Sequence, residues 1–274
     1  MKKLIKSIIK TFLFFDLSLI VINYLPEISD KNPAVSALKN SGICLAVVLG
    51  LTLIYILLVE KRQVCVSLKK PISAILKGIF FGAFLPIVTV ALTAFLGKIK
   101  ISDTNSIENI ALWILALFVT CVTNELLLRG YLFSLFKKHF GLTAAVISST
   151  VLFCAIDLNI FSYSKIYIAN LLLFNILLCF ILNSAKTIIA SIFARFTFLT
   201  INTVLLGSTY PQSGYPSLYN ITFKGNVLLN GGEYGIMGSV LMMIILIAVC
   251  LILIYKAYNL SENFKNLHKF IKRF

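Results

Sequence analysis

The sequence predicts an all-α fold: a polytopic membrane helix bundle of about eight transmembrane helices, with both termini cytoplasmic. Three observations carry this. Hydrophobic residues make up 59% of the 274 and charged residues only 13%, with a mean hydropathy of +0.96; a water-soluble domain carries about a quarter charged residues. The apolar residues come in runs near the roughly 20 that cross a bilayer core. Basic residues crowd alternate connections between those runs, as the positive-inside rule requires.

Taken in order, the spans fall near Ile5 to Tyr24, Ser41 to Val59, Ile72 to Leu96, Ile107 to Leu127, Ala144 to Ile160, Ile166 to Leu182, Thr187 to Leu206 and Gly235 to Tyr255. The first starts basic and apolar, like a signal peptide. Asp16 interrupts it and no small-residue cleavage site follows, so it reads as a retained helix. In the third, "KGIFFGAF" sets Gly78 and Gly82 at the GxxxG spacing that lets a neighbouring helix approach closely. The fifth is short and the fourth and seventh carry polar residues, which suits burial inside the bundle. The last contains "GSVLMMIILIAVCLILIY", with no charge at all.

Orientation follows from lysine and arginine. Lys2, Lys3, Lys6, Lys10, Lys61, Arg62, Lys69, Lys70, Lys137, Lys138, Lys186, Lys256, Lys265, Lys269, Lys272 and Arg273 form one group of sixteen. Only six, Lys31, Lys39, Lys98, Lys100, Lys165 and Lys224, lie on the other side, among Glu27, Asp30, Asp103, Glu108 and Glu233. Both termini are then cytoplasmic, which an even number of crossings satisfies. The net charge of +15 is spread over helix ends, where anionic headgroups account for it; nucleic acid is not an expected partner and the lipid bilayer is. A Lys/Ile/Asn-rich composition points to an AT-rich bacterial genome, hence a bacterial plasma membrane.

The chain divides into N-terminal helices over 1–103, a core over 104–257 and a basic cytoplasmic tail over 258–274. The stretch from Gly207 to Gly235, rich in Gly, Pro, Tyr and Asn, reads as an outward loop capping the bundle; it holds an Asn-Ile-Thr sequon at Asn220. Six cysteines stand singly without framework spacing and read as core filler. Two histidines, His139 and His268, cannot build a paired-histidine zinc motif. No cofactor or metal is expected.

Chemistry enters at "TNELLLRGYLF", Thr123 to Phe133. A Glu and an Arg inside an apolar helix cost several kcal/mol unless they have partners or a task. Glu125 and Arg129 are spaced i, i+4 with the acid first, the better orientation for an ion pair within one helix. Arg195 is another charge within a span, and a pairing with Asp157 or Glu125 is at least as good a reading as catalysis.

"NELLLRGYLFSLFKKHFG" resembles the first signature of the CPBP family, the CAAX-protease and bacteriocin-processing (Abi) group, in which E-E-x-x-x-R precedes G-x-L-F and a basic turn. "ISSTVLFCAID" is similar to the second, an apolar helix ending in F-x-x-x-H, and "IIASIFARFTFLTIN" stands in the place of the third, H-x-x-x-N or H-x-x-x-D. The Gly-rich segment and last helix resemble what often follows, so the likeness spans about residues 104–257. It implies an intramembrane cavity, opening toward the cytosol, in which glutamates and histidines activate water for peptide hydrolysis, as a glutamate-type protease or with a metal. A buried carboxylate suits a general base, and an Asn suits holding the oxyanion.

This chain departs from those signatures at the chemical positions. Asn124 replaces the first Glu, Asp157 replaces the His of F-x-x-x-H, and Phe198 replaces the third-signature His if Asn202 is its terminal residue; one residue later, the pair is Leu199 and Thr203. An amide cannot accept a proton, so most of the roughly hundred- to ten-thousand-fold from acid–base catalysis is expected to be lost. The expected function is therefore a noncatalytic CPBP-type scaffold, immunity or regulatory protein that binds a membrane or envelope protein or peptide. The alternative is an active intramembrane endopeptidase in which Glu125 and Asp157 share a proton, although Arg129 competes for that carboxylate. A transporter or channel ranks last, because no line of polar residues runs through the bundle.

Overall fold

The structure is a computed structural model that describes residues 2–60, 71–156, 158–208 and 214–271. Its helices are α1 (Lys2–Asn23), α2 (Pro33–Ile54), α3 (Pro71–Phe95), α4 (Ile110–Glu125), α5 (Tyr131–Ile156), α6 (Lys165–Ala185), α7 (Ile188–Leu199), the single turn α8 (Val227–Asn230) and α9 (Val240–Ile271). Strands β1 (Ile99–Thr104) and β2 (Tyr219–Phe223) form a small antiparallel pair.

Among the described residues six helical stretches are long and apolar enough to cross a membrane: Pro33–Leu57, Pro71–Phe95, Ile110–Ile156, Lys165–Ala185, Ile188–Leu205 and Val240–Asn259. Ile110–Ile156 carries two of the expected spans, broken at Gly141, whose φ of 87° and ψ of 178° lie outside helical geometry. The expected first span is the 22-residue α1, whose described stretch Phe12–Asn23 is apolar. The chain is a polytopic helical membrane bundle.

Capping residues fix several ends. Asn32 accepts the Ala34 N–H at 2.9 Å with Pro33 in the first turn, so α2 starts eight residues before the expected Ser41. Ser164 and Thr187 cap α6 and α7 in the same way. Ser239 Oγ accepts the Met242 N–H at 3.1 Å at the head of α9.

The expected irregular loop over Gly207 to Gly235 instead contains β2, which pairs with β1 in the α3–α4 connection. Asn105 Nδ2 reinforces the pairing by donating to the Ser217 carbonyl at 3.0 Å. Two edge-exposed strands of five or six residues leave no hydropathy signature in a chain dominated by spans.

The main core lies where α3, α5, α6, α7 and α9 meet, and a second cluster joins α1 and α2 to the α4–α5 junction. The GxxxG pair of α3 lies flat on α7. A Cβ on Gly78 would meet the Ala190 carbonyl oxygen at 2.5 Å, and one on Gly82 the Ala194 carbonyl oxygen at 2.4 Å. Small residues on both helices therefore set how near α7 stands, which fixes the position of Arg195 one residue beyond Ala194.

Candidate functional site

Helices α4, α5, α6 and α7 bring one carboxylate and two guanidinium groups together in the bundle. Glu125 closes α4 and is fully buried. The next turn, Leu126–Gly130, is π-helical, and so is Thr200–Leu205 after α7. Such wide turns inside α-helices are frequent at functional sites. These two fall at the first and third signatures.

Arg129 Nη1 donates to Glu125 Oε1 at 2.6 Å, and Arg195 Nε donates to the same oxygen at 2.7 Å. Both arginines are buried, at 1% and 7% exposure, so neither can discard its charge into water. Arg129 Nη2 continues the network to α6, donating to the Asn175 carbonyl at 2.8 Å and to the Asn175 side-chain oxygen. Asn175 Nδ2 in turn donates to Thr150 Oγ1 of α5 at 3.2 Å. The Arg195 guanidinium also lies 5.9 Å from the centre of the Phe153 ring on α5, within cation–π range. The acid, its two arginines and Asn175 thus link α4, α5, α6 and α7, and the three charges sum to one positive.

The residues that the sequence nominates part company here. Glu125 and Arg129 form the ion pair their spacing predicts, and Arg195 takes Glu125 as its partner. Asn124 is half-buried near the end of α4. Asn202 is buried but works elsewhere: its Oδ1 accepts from Ser208 Oγ at 3.1 Å and its carbonyl accepts the Ser208 N–H at 2.7 Å, closing the turn after α7. Phe198, at the third-signature His position, is a core side chain with its ring centroid 4.3 Å from that of Phe174. Asp157 lies outside the described residues.

Asn175 and Thr150 were not singled out from sequence. The available signal was a buried amide in "LLLFNILLCF", since a polar group at membrane depth needs a partner. Asn170, one turn and a half earlier, has another role: its Nδ2 donates to the Met237 and Ser239 carbonyls at 2.7 and 2.9 Å, holding α6 to the head of α9.

A metal of the kind the resemblance allows does not suit this donor set. Among the described residues no group of three or more His, Cys, Asp or Glu comes together. The lone carboxylate is flanked by two guanidinium groups, which would repel a divalent cation.

Residues 106–201 match the family model described as type II CAAX prenyl endopeptidase Rce1-like. No curated protein and no solved structure matches the chain. The matched segment runs from the approach to α4 to the turn just short of Asn202, so it takes in Glu125, Arg129, Asn175 and Arg195. These central membrane helices are therefore similar to those of the CAAX protease-like family of membrane proteins.

Proposed function

We propose that this protein is a noncatalytic member of that family, a membrane scaffold, immunity or regulatory protein that binds a membrane or envelope protein or peptide. The observation that carries the reading is the occupation of Glu125 Oε1 by two buried guanidinium groups at 2.6 and 2.7 Å. A general base needs its lone pairs directed at a water or a substrate. Here the charge of the carboxylate goes to holding α4, the turn that follows it and α7 together. Asn124 offers an amide where a second carboxylate would stand, and Phe198 offers a ring packed on Phe174. With no cation suited to the donor set, the site lacks the groups that activate water in this chemistry.

A second reading is peptide hydrolysis by Glu125 with Asp157. It is favoured by Glu125 Oε2, which has no hydrogen-bond partner among the described residues. The two readings separate on one assay. The full chain, reconstituted in phospholipid vesicles, is incubated with a farnesylated CAAX peptide and the peptide is recovered for mass spectrometry. The scaffold reading expects the peptide intact at every time point. Release of the C-terminal tripeptide by wild-type protein, absent with Asp157→Asn, would replace it with the hydrolytic one.

A further inference from the structure

Helix α9 is longer than a membrane crossing. It runs unbroken for 32 residues, Val240–Ile271, of which Val240–Asn259 is the apolar span. At 1.5 Å per residue that span is about 30 Å long, the thickness of the hydrocarbon core. Its exit is marked by the exposed rings of Tyr255 and Tyr258, which suit the headgroup level. Tyr258 and Thr143 share a hydroxyl hydrogen bond of 2.9 Å, so α9 leaves the bundle beside the Gly141 break in α5. On α5, Lys137 donates to Asn183 of α6 at 2.7 Å, and Lys138, Lys186 and Lys256 lie near that end in the chain. Leu260–Ile271 continue helically, about 18 Å of helix beyond the core.

The sequence of that extension, "LSENFKNLHKFI", has a strong pattern. Leu260, Phe264, Leu267 and Ile271 recur at spacings of four, three and four, which places them on one stripe of a helix. Off the stripe, Lys265 and Lys269 stand against the single acid Glu262, and Lys272 and Arg273 follow in the sequence. Asn259, Ser261 and Asn263 are weak helix formers clustered where the helix leaves the span, a place where it can bend. Two surfaces could cover such a stripe: the bilayer, or the same stripe of a second copy. Pairing two copies would set lysines of like charge alongside one another over fewer than two full heptads, less than an isolated helix pair needs. A membrane with anionic headgroups satisfies the apolar stripe and the basic flank together, and it begins where α9 emerges.

We infer that residues 260–271 form an amphipathic surface helix that binds the anionic lipid headgroups of the leaflet from which α9 emerges. This rests on α9 alone and stands whether or not the protein hydrolyses peptides.

The test is amide hydrogen exchange on the full chain in two kinds of nanodisc, phosphatidylcholine alone and phosphatidylcholine with phosphatidylglycerol. The amides of 260–271 are expected to be protected in the anionic discs, with protection weakened by added salt and in the phosphatidylcholine discs. Lys265→Gln with Lys269→Gln should cut that protection roughly 25-fold, at about fivefold for each basic residue removed from an anionic surface. Phe264→Glu with Leu267→Glu should abolish it while exchange within Val240–Asn259 stays as in wild type. Equal protection in both discs, or none in either, would overturn the inference. Protection that grows with the number of copies per disc would assign the stripe to a second copy and overturn it as well.

Discussion

Glu125→Gln is the most informative single change. In the native protein the carboxylate is fully buried and accepts from Arg129 at 2.6 Å and Arg195 at 2.7 Å. The amide keeps the shape but removes the negative charge, leaving two buried guanidinium groups facing one another across a neutral side chain. Breaking a buried ion pair by removing one partner costs about 3–5 kcal/mol. Two cations lose their counter-charge here, so we expect the upper half of that range, about 4 kcal/mol. In thermal unfolding this corresponds to roughly a 10 °C fall in midpoint, at 2–4 °C per kcal/mol. Arg195→Met should cost less, because the Glu125–Arg129 pair remains and is neutral. Arg129→Met should fall between the two, because it also removes the donor that Arg129 Nη2 offers to the Asn175 side-chain oxygen. The assay is the reaction of a fluorogenic maleimide with the buried thiols Cys121, Cys179 and Cys250 as detergent-solubilised protein is heated. An unchanged midpoint for Glu125→Gln, or an Arg195→Met variant harmed as much, would refute the reasoning.

Two further predictions concern packing and charge outside the cluster. Gly82→Ala should lower the unfolding midpoint by about 1–3 kcal/mol equivalent, because the new methyl meets the Ala194 carbonyl oxygen at 2.4 Å and forces α3 off α7; Gly50→Ala on α2, with nothing within 4 Å, should be neutral or slightly stabilising in the same assay. In the α1–α2 connection, Lys39 donates to Asp30 Oδ2 at 2.7 Å and holds the Asp30 carboxyl below its ordinary value. A depressed carboxyl contributes fully above its unfolded value and loses that contribution as pH falls through the folded one. Amide exchange over Ile28–Asn40 should therefore quicken as acid passes below the ordinary carboxylate range, and Asp30→Asn should remove that dependence; identical acid profiles would contradict it.

Much of the fold was legible because hydropathy alone encodes it. All eight apolar runs are helical, since a backbone at membrane depth must satisfy its hydrogen bonds internally. The exceptions are instructive. Gly141 breaks a pattern that hydropathy reads through, and β1 pairs with β2 across more than a hundred residues, a contact no local signal announces. In the site, the Glu125–Arg129 pair was legible because it is local to one helix. The Arg195 bond to Glu125 spans seventy positions, and sequence left Asp157 and Glu125 equally eligible as its partner. Asn175 was hidden for a different reason: its partner is an arginine already assigned to another group, so nothing in the sequence showed a missing donor. The third signature illustrates the reverse, because Asn202 kept the residue type that the family pattern asks for, yet it braces the Ser208 turn.

The central claim is that the buried carboxylate and its two guanidinium partners serve to brace the helices that carry them. Its most direct measurement is the unfolding midpoint of the full chain carrying Glu125→Met, Arg129→Met and Arg195→Met together. Replacing a whole buried charge cluster with apolar side chains of similar size is often neutral or stabilising, so the account predicts a midpoint near or above wild type and well above Glu125→Gln. A midpoint at or below that of Glu125→Gln would contradict it.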